Sequence, residues 1–501
     1  MSPGGAAGLR PLSVVVIGSG VSGLSAAHRI WTESRRRRIE LELTVLDASA
    51  RPGGAIGTVE RDGFVMEQGP DCFLSTKPAA VQLCHELGLA ADLMGTNPHH
   101  RRSYIARDGE LHQVPEGFHL LAPSKFWPFV TTGLFSWAGK LRMGMDLLIP
   151  ARRGGREETL AEFVIRRLGR EALDQAAQPM IGGIYTADPR KLSLQATMPQ
   201  FLEMEQKYGS ILLAMWKARQ AQGAAPRAGG RASGARYDLF LTLRGGLARL
   251  VESLVARLPA GSIQSGSTVE SLERTGLRWR VRSGALGALE ADAVCVSLPA
   301  GATSRLLAHA DPPLAQDLAG IPYASVATVN LGFDRSQVRH PLDGMGFVVP
   351  AVERRAIVAA SFSSVKFAGR SPADRALLRA FVGGAMHPEA LAMDDDALVE
   401  AVMRDLRQYV GVQGAPRTVL VSRYESAMAQ YCVGHLERVA RIEAHEAALP
   451  GLALAGNGYR GVGIGDCVAS GERAARRLID YLTDLDAARH NGARELAAAA
   501  C

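Results

Sequence analysis

The sequence predicts an α/β fold, and two observations carry that reading. Ser13 to Ile17 (SVVVI) is a short apolar run stopped by Gly18, the pattern of a strand buried on both faces of a parallel sheet. A glycine turn, a helical pattern from Leu24 to Trp31 and a second apolar run from Leu41 to Leu46 follow it in βαβ order, ending at Asp47. The arginine run Arg35 to Arg38 between them reads as a solvated helix end or loop.

Further along, Phe118 to Gln222 changes to helical patterns, among them Thr159 to Leu168 and Phe201 to Arg219, which predicts an inserted helical subdomain. Residues 221–236 form a Gly/Ala/Arg-rich stretch expected to be a mobile loop. Strand candidates then return at Ser267 to Leu272, Arg278 to Arg282, Ala293 to Ser297, Val326 to Phe333 and Gly346 to Val349. Leu247 to Leu258 and Asp394 to Val410 read as helices. Leu452 to Ala455 is one more buried strand, followed by a Gly-rich loop and a helix from Asp466 to Leu482. The tail from Asp486 to Cys501 is expected to be disordered.

The chain has 501 residues, which suggests roughly three domains at about 150 residues each and rules out a small binding module. Apolar residues at 47% and charged residues at 21% exclude a wholly disordered chain. The net charge of +7 mildly favours an acidic partner, anionic lipid or a carboxylate substrate, and is too diffuse for nucleic acid. Cys72, Cys84, Cys295, Cys432, Cys467 and Cys501 show neither paired spacing nor a ligand cluster with histidines, so no disulfide framework and no metal site are expected. Met1 to Arg10 reads as a short flexible arm without a presequence pattern. No stretch reaches the roughly 18 to 20 apolar residues of a bilayer span, and the nearest, Phe126 to Gly139, contains Pro128.

Gly18-Ser19-Gly20-Val21-Ser22-Gly23 is G-x-G-x-x-G between a strand and a helix, the setting its mechanism requires. Gly18 serves the tight turn, Gly20 the approach of a pyrophosphate, and Gly23 close packing of helix on sheet. The helix N-terminus offers free N–H groups to phosphate, and Asp47 can accept hydrogen bonds from ribose hydroxyls. Arg51-Pro52-Gly53-Gly54 supplies a second close backbone approach. Gly456 to Asp466 (GNGYRGVGIGD) joins the last strand to the last helix, whose N-terminus can stabilise charge on the pyrimidine edge of a reduced flavin.

With Glu67-Gln68-Gly69-Pro70, these segments make the chain resemble the FAD-dependent amine-oxidase-like superfamily. Within it, Gly183 to Asp188 (GIYTAD) with Leu192-Ser193, Phe362-Ser363-Ser364, and Gly434-His435-Leu436 ahead of the C-terminal loop resemble the oxygen-dependent protoporphyrinogen oxidase family over roughly residues 12–485. The resemblance implies an FAD-binding Rossmann-like domain in three segments (12–95, 238–300, 445–485). It also implies an interleaved α+β substrate domain (96–117, 301–440), an inserted helical membrane-contacting domain (118–225) and the tail 486–501.

The cofactor residues it implies are Gly18, Ser19, Gly20, Val21, Ser22, Gly23, Asp47, Ala48, Arg51, Gly53, Gly54, Gly69, Pro70, Val269, Gly456, Gly461, Val462, Gly463 and Ile464. Arg102 falls where that family binds a substrate propionate, with Arg101 as the alternative, and a guanidinium suits a carboxylate. Gly183, Val348 and Phe381 match positions that sandwich the macrocycle, whereas Ser361 stands where an apolar residue is common. Strand-core packing is the plainer reading of Val348 and Phe381.

No G-x-S-x-G elbow, H-E-x-x-H motif, second dinucleotide triplet or redox cysteine pair competes with this reading. Glu157/Glu158 and Asp394 to Asp396 read as exposed helix-start acids. His99, His100 and His435 receive no catalytic role. No catalytic acid or base is assigned, since flavin N5 carries the hydride chemistry.

The resemblance therefore implies oxidation of protoporphyrinogen IX to protoporphyrin IX by oxygen, releasing hydrogen peroxide. Coproporphyrinogen III oxidation is the first alternative and an FAD-dependent amine oxidase the second; a relative that has lost its cofactor and binds a lipidated partner is the non-enzymatic one. Trp127, Trp137, Phe126, Phe129 and Phe135 beside Lys125, Lys140 and Arg142 suit a peripheral membrane contact, with a buried core as the alternative. The implied setting is the cytoplasm at the inner membrane, or the mitochondrial inner membrane in a eukaryote. A homodimer and hand-off of product to a ferrochelatase are compatible with it.

Overall fold

The computed structural model describes residues 10–119, 122–123, 125–152, 154–221 and 240–499. Residues 1–9 of the expected arm, 222–236 of the expected loop and 500–501 of the tail lie outside them.

Leu12–Ile17 forms the middle of a five-stranded, all-parallel sheet in the order Ile263–Ser265, Leu41–Asp47, Leu12–Ile17, Ala293–Val296, Leu452–Leu454. The two-residue period of a strand splits its side chains between two cores. Val14 and Val16 pack with Leu24, Ile30 and Leu478 on one face. Val15 and Ile17 pack with Val294, Trp279 and Leu314 on the other. Strands from the start, middle and end of the chain thus lie side by side, which brings Gly18 and the loop after Leu454 to the same sheet edge.

A second sheet has seven strands in the order Thr418–Ala429, Tyr323–Asp334, Arg375–Gly383, Ile357–Phe362, Gly346–Val348, Tyr104–Arg107, Glu110–Gln113. Ala327, Val329, Leu331 and Phe333 bury one face against Leu398, Val402 and Leu406 of the helix Asp395–Val410. The alternate residues face the segment that leaves the first domain. Thr328 Oγ1 donates to the Gln68 carbonyl at 2.6 Å and Asn330 Nδ2 to that of Glu67 at 3.1 Å. Gly332 lets Phe64 come close, since a Cβ there would stand 2.7 Å from its ring.

Helices occupy the stretch read as helical: Phe126–Thr131, Trp137–Gly144, Leu160–Arg167, Gln178–Tyr185, Pro199–Tyr208 and Ile211–Ala221, with shorter turns between. Phe118, Phe163, Ile181, Phe201 and Ile211 form its own core. Thr159 and Glu162 make a reciprocal capping box at the third of these helices. Arg167, wholly buried, ties the unit together through Asp146 Oδ1 at 2.5 Å and the carbonyls of Ile149 and Gly209.

Four expectations need correction. Glu158 is buried and paired with Arg152 and Arg166, and Glu157 accepts from the Ser193 hydroxyl and the Gly434 N–H, so neither is an exposed helix-start acid. Asp394 does cap its helix. Phe129 and Phe135 belong to the helical core and separate from the exposed Trp127 and Trp137. The basic residues beside them are also engaged: Lys125 with Glu116, Lys140 with the Val130 and Thr132 carbonyls, and Arg142 with the carbonyls ending Leu160–Arg167. Finally, the last helix runs from Ile464 to Ala499 rather than stopping near Leu482, because the alanine-rich tail is a strong helix former. No helix among the described residues is long and apolar enough to cross a membrane.

Candidate functional site

The turn between Leu12–Ile17 and the helix Val21–Arg36 is built so that each glycine answers a different demand. A Cβ on Gly23 would lie 1.9 Å from the Gly18 carbonyl, and one on Gly18 would lie 2.3 Å from that of Ser297. Both are required by the protein's own packing. Gly20 is different: its backbone is extended (φ −64°, ψ 171°), open to any residue, and a Cβ there would meet nothing within 4 Å. Its missing side chain leaves room beside a helix N-terminus, a cradle with the fit expected for a pyrophosphate. Ser19, Val21 and Ser22 complete the turn.

Asp47 closes the cradle from the second strand. Its Oδ2 accepts from the Ser19 N–H and hydroxyl, both at 2.6 Å, and Oδ1 from the Ser49 N–H at 2.7 Å. Ala48 lies exposed in the turn beyond it. Ser267 donates its N–H to the Asp47 carbonyl at 2.7 Å, which sets Val269, the first residue of the next strand, near this end of the cradle. The double-glycine loop crosses directly over the first turn: Gly53 N–H donates to the Ser19 carbonyl at 2.8 Å, and a Cβ on Gly54 would lie 3.1 Å from Gly20 Cα. Arg51 braces that loop through the Ile56 carbonyl at 2.8 Å and Gln68 Oε1 at 3.2 Å. Gly69, next to Pro70, is pressed on it too, since a Cβ there would lie 1.9 Å from the Ala55 carbonyl.

The C-terminal loop is held from a side that motif reading missed. Tyr431 donates its hydroxyl to the Asn457 carbonyl at 2.7 Å and accepts the Gly461 N–H at 2.7 Å, and its ring stacks on His435 at 4.0 Å. His435 Nε2 meets the Tyr459 carbonyl at 2.8 Å. Burial pushes the imidazole pKa down, so it is neutral and structural. Gly456 and Gly461 adopt φ values of +136° and +146°. Val462 and Gly463 then lead into the helix starting at Ile464, beside the Lys77–Asp466 pair at 2.9 Å. The anchoring tyrosine stands three residues ahead of the Gly434-His435-Leu436 motif.

The expected substrate residues gather at the second sheet, Gly183 reaching it from the helix Gln178–Tyr185. A Cβ on Gly183 would lie 3.4 Å from Val348 Cγ1 and 3.9 Å from Ala359 Cβ, and Phe381 stands opposite Ala359 in the ladder. Gly183 is exposed and Val348 and Phe381 are half-buried, so all three line accessible space. Ser361, the atypical position, donates its hydroxyl to the Met345 carbonyl at 3.3 Å. Arg102 lies just before the strand Tyr104–Arg107, whose Ile105 pairs with Val348. It is not free: Nη1 meets Asp343 Oδ2 at 2.6 Å, and the Tyr104 hydroxyl donates to Asp343 Oδ1 at 2.5 Å. Burial would raise the Asp343 pKa, but those two partners outweigh it and hold the carboxyl below the usual range. Past Gly183, Thr186 and Gly384 form a wall, beyond which Tyr323, Val326, Tyr424 and Gln430 border a cavity of about 530 Å³.

The chain matches the family model for flavin containing amine oxidoreductases over residues 21–479. It is similar to the coproporphyrinogen III oxidase of Bacillus subtilis (strain 168), 36% identical over 94% of this chain and 98% of that protein. It is also similar to the chloroplastic protoporphyrinogen oxidase of Nicotiana tabacum, 30% identical over 94% and 86% respectively. A crystal structure from Exiguobacterium sp. 255-15 superposes with a TM-score of 0.83 at 31% identity, covering 94% of this chain and 99% of that one.

Proposed function

The chain belongs to the flavin containing amine oxidoreductase family, and from that premise we propose that it oxidises a porphyrinogen to the porphyrin, with FAD as cofactor and oxygen as final acceptor. The observation that carries this reading is the wall formed by Gly183, Val348 and Phe381. It lies on the same sheet face that receives the segment Glu67–Gly69, next to the dinucleotide cradle. A flat macrocycle can rest there with its edge toward the cofactor. The names of the two curated relatives support the substrate class.

Bound FAD would supply a two-electron acceptor for hydride from a carbon bridging two pyrroles, restored by oxygen that leaves as hydrogen peroxide, and three such rounds account for the six electrons between porphyrinogen and porphyrin. The protein's own groups position and shield. Phe381 and Val348 keep water from the ring face. Arg102 holds a ring carboxylate by exchanging its Asp343 partner for the substrate. His435 is committed to the Tyr459 carbonyl, so the pyrrole protons leave without a dedicated base.

Protoporphyrinogen IX carries two carboxylates and coproporphyrinogen III four. The higher identity to the Bacillus subtilis protein favours the second as substrate. Oxidation rates on the two compounds, with putrescine as an amine control, test the reading: turnover of the amine alone contradicts it. Arg102→Ala is expected to raise KM for either porphyrinogen roughly ten-fold, about 1.4 kcal/mol, with flavin content unchanged. An unaltered KM removes Arg102 from the site.

A peripheral membrane contact is part of the proposal. Trp137, Leu141 and Leu148, with Met145, form one exposed stripe at helical spacing, and Trp127, 73% exposed, precedes them. Since the neighbouring basic residues are internally engaged, binding is apolar. Trp127→Ser/Trp137→Ser is expected to lower partition into zwitterionic phosphatidylcholine vesicles at least ten-fold in a flotation assay, while turnover of detergent-dispersed substrate is kept.

A further inference from the structure

Between the second sheet and the segment Glu67–Cys72, three cations meet two carboxylates. Arg370 Nη2 stands 3.0 Å from Glu67 Oε1, Lys366 Nζ 2.8 Å from Asp71 Oδ2, and Arg379 Nη1 a loose 3.9 Å from the same Asp71 oxygen. Among the described residues the group is left with one positive charge in excess, and Arg379 carries it. Its side chain is 2% exposed. One amino group donates to the Gly69 carbonyl, while Nε and Nη1 have no hydrogen-bond partner among the described residues. A buried guanidinium with two idle donors and a shared counter-ion is costly unless an anion completes it.

The surroundings indicate which anion. The Arg379 guanidinium lies over the Phe381 ring at 4.8 Å, so it borders the wall on which the porphyrinogen is placed above. Lys366 and Asp71 each keep 14% of their side-chain surface accessible, so the cluster is not completely sealed. Arg379 is opposite Ser361, which is opposite Gly346, beside the strand Tyr104–Arg107 that Arg102 precedes. Three strand spacings separate the two arginines, roughly 14 Å. A tetrapyrrole with carboxylates on opposite edges bridges such a span. A planar fork of N–H donors matches a carboxylate better than any other group the substrate offers.

We propose that Arg379 and Lys366 form a second carboxylate site at the inner end of the porphyrinogen cavity, opposite Arg102 at its mouth, which selects a tetracarboxylate over a dicarboxylate substrate. This rests on the porphyrinogen reading above. The site is a determinant of specificity, since it adds an interaction that coproporphyrinogen III satisfies and that protoporphyrinogen IX, with fewer carboxylates, leaves unmade on one edge.

The test uses the FAD-loaded full chain. Arg379→Met is expected to raise KM for coproporphyrinogen III at least ten-fold and that for protoporphyrinogen IX less than three-fold, with the flavin reduction potential unchanged and part of the loss restored in Arg379→Lys. Ser361→Asp supplies the missing counter-charge from the facing strand. It is expected to fold, to raise the melting temperature and to weaken coproporphyrin III binding, read by fluorescence quenching. Equal losses on both porphyrinogens, a shifted flavin potential with KM unaltered, or unweakened coproporphyrin III binding in Ser361→Asp would overturn the assignment. If the wild type oxidises neither porphyrinogen, the functional reading fails, and coproporphyrin III binding still decides the site separately.

Discussion

Gly20→Val is expected to give a folded protein that no longer retains flavin. A Cβ there meets no protein atom within 4 Å and sits on backbone that any residue adopts, so the apoprotein should melt within about 2 °C of the unsubstituted apoprotein. The valine fills the space over the helix N-terminus where a pyrophosphate would lie, and flavin affinity should fall by at least 100-fold, about 2.7 kcal/mol. Gly23→Val is the contrast. Its Cβ would lie 1.9 Å from the Gly18 carbonyl, so helix and strand must part, at a cost of about 1–3 kcal/mol or more whether or not flavin is present. Flavin absorbance and apoprotein melting, measured on both variants, separate a glycine kept for a ligand from one kept for packing. Full flavin occupancy in Gly20→Val would contradict the placement of the cofactor.

The nucleotide half of the site was legible because its signals are local. Gly18 to Gly23, Asp47 and Gly53-Gly54 are short motifs whose spacing encodes backbone geometry, and the structure sets them within hydrogen-bond reach of one another. The second sheet was only partly legible. Val326 to Phe333 lies inside the observed Tyr323–Asp334, but Ile357–Phe362, Arg375–Gly383 and Thr418–Ala429 carried no clear strand pattern. Arg379 interrupts the apolar alternation of one and Arg423-Tyr424-Glu425 that of another, and both runs are strands because long-range pairing overrides local preference. The Arg379 cluster was out of reach for the same reason. It joins residues near positions 70, 366 and 379, which become neighbours only when the first domain's exit segment lies across the sheet. Arg102 could be singled out from its place in the sequence, while its pairing with Asp343 is a contact across 241 residues of chain that no local spacing announces.

Arg167→Met is expected to be the most destabilising single change in the helical unit. Arg167 and Asp146 are both fully buried, and the guanidinium also satisfies the carbonyls of Ile149, Pro150 and Gly209. Removing it leaves a buried carboxylate and several unpaired carbonyls, a loss of about 3–5 kcal/mol. The first unfolding transition should drop by roughly 10 °C. Asp146→Leu added to Arg167→Met should recover part of that loss, since the uncompensated charge is removed with its partner. The nucleotide cradle belongs to other cores. Flavin should therefore stay bound below the lowered transition, while porphyrinogen turnover is lost with Gly183, which this unit carries. Simultaneous loss of flavin and helical structure in one transition would show that the two units are not independently stable.

Porphyrin fluorescence is the most direct test of the central claim. Purified, yellow protein is mixed with coproporphyrinogen III or protoporphyrinogen IX in air and, in parallel, under argon. Porphyrin should accumulate in air above the rate without protein, accompanied by hydrogen peroxide, and under argon the bound flavin should bleach with no sustained porphyrin formation, since it takes only two of the six electrons that the conversion releases. Flavin-loaded protein that leaves both porphyrinogens at the rate without protein would contradict the assignment.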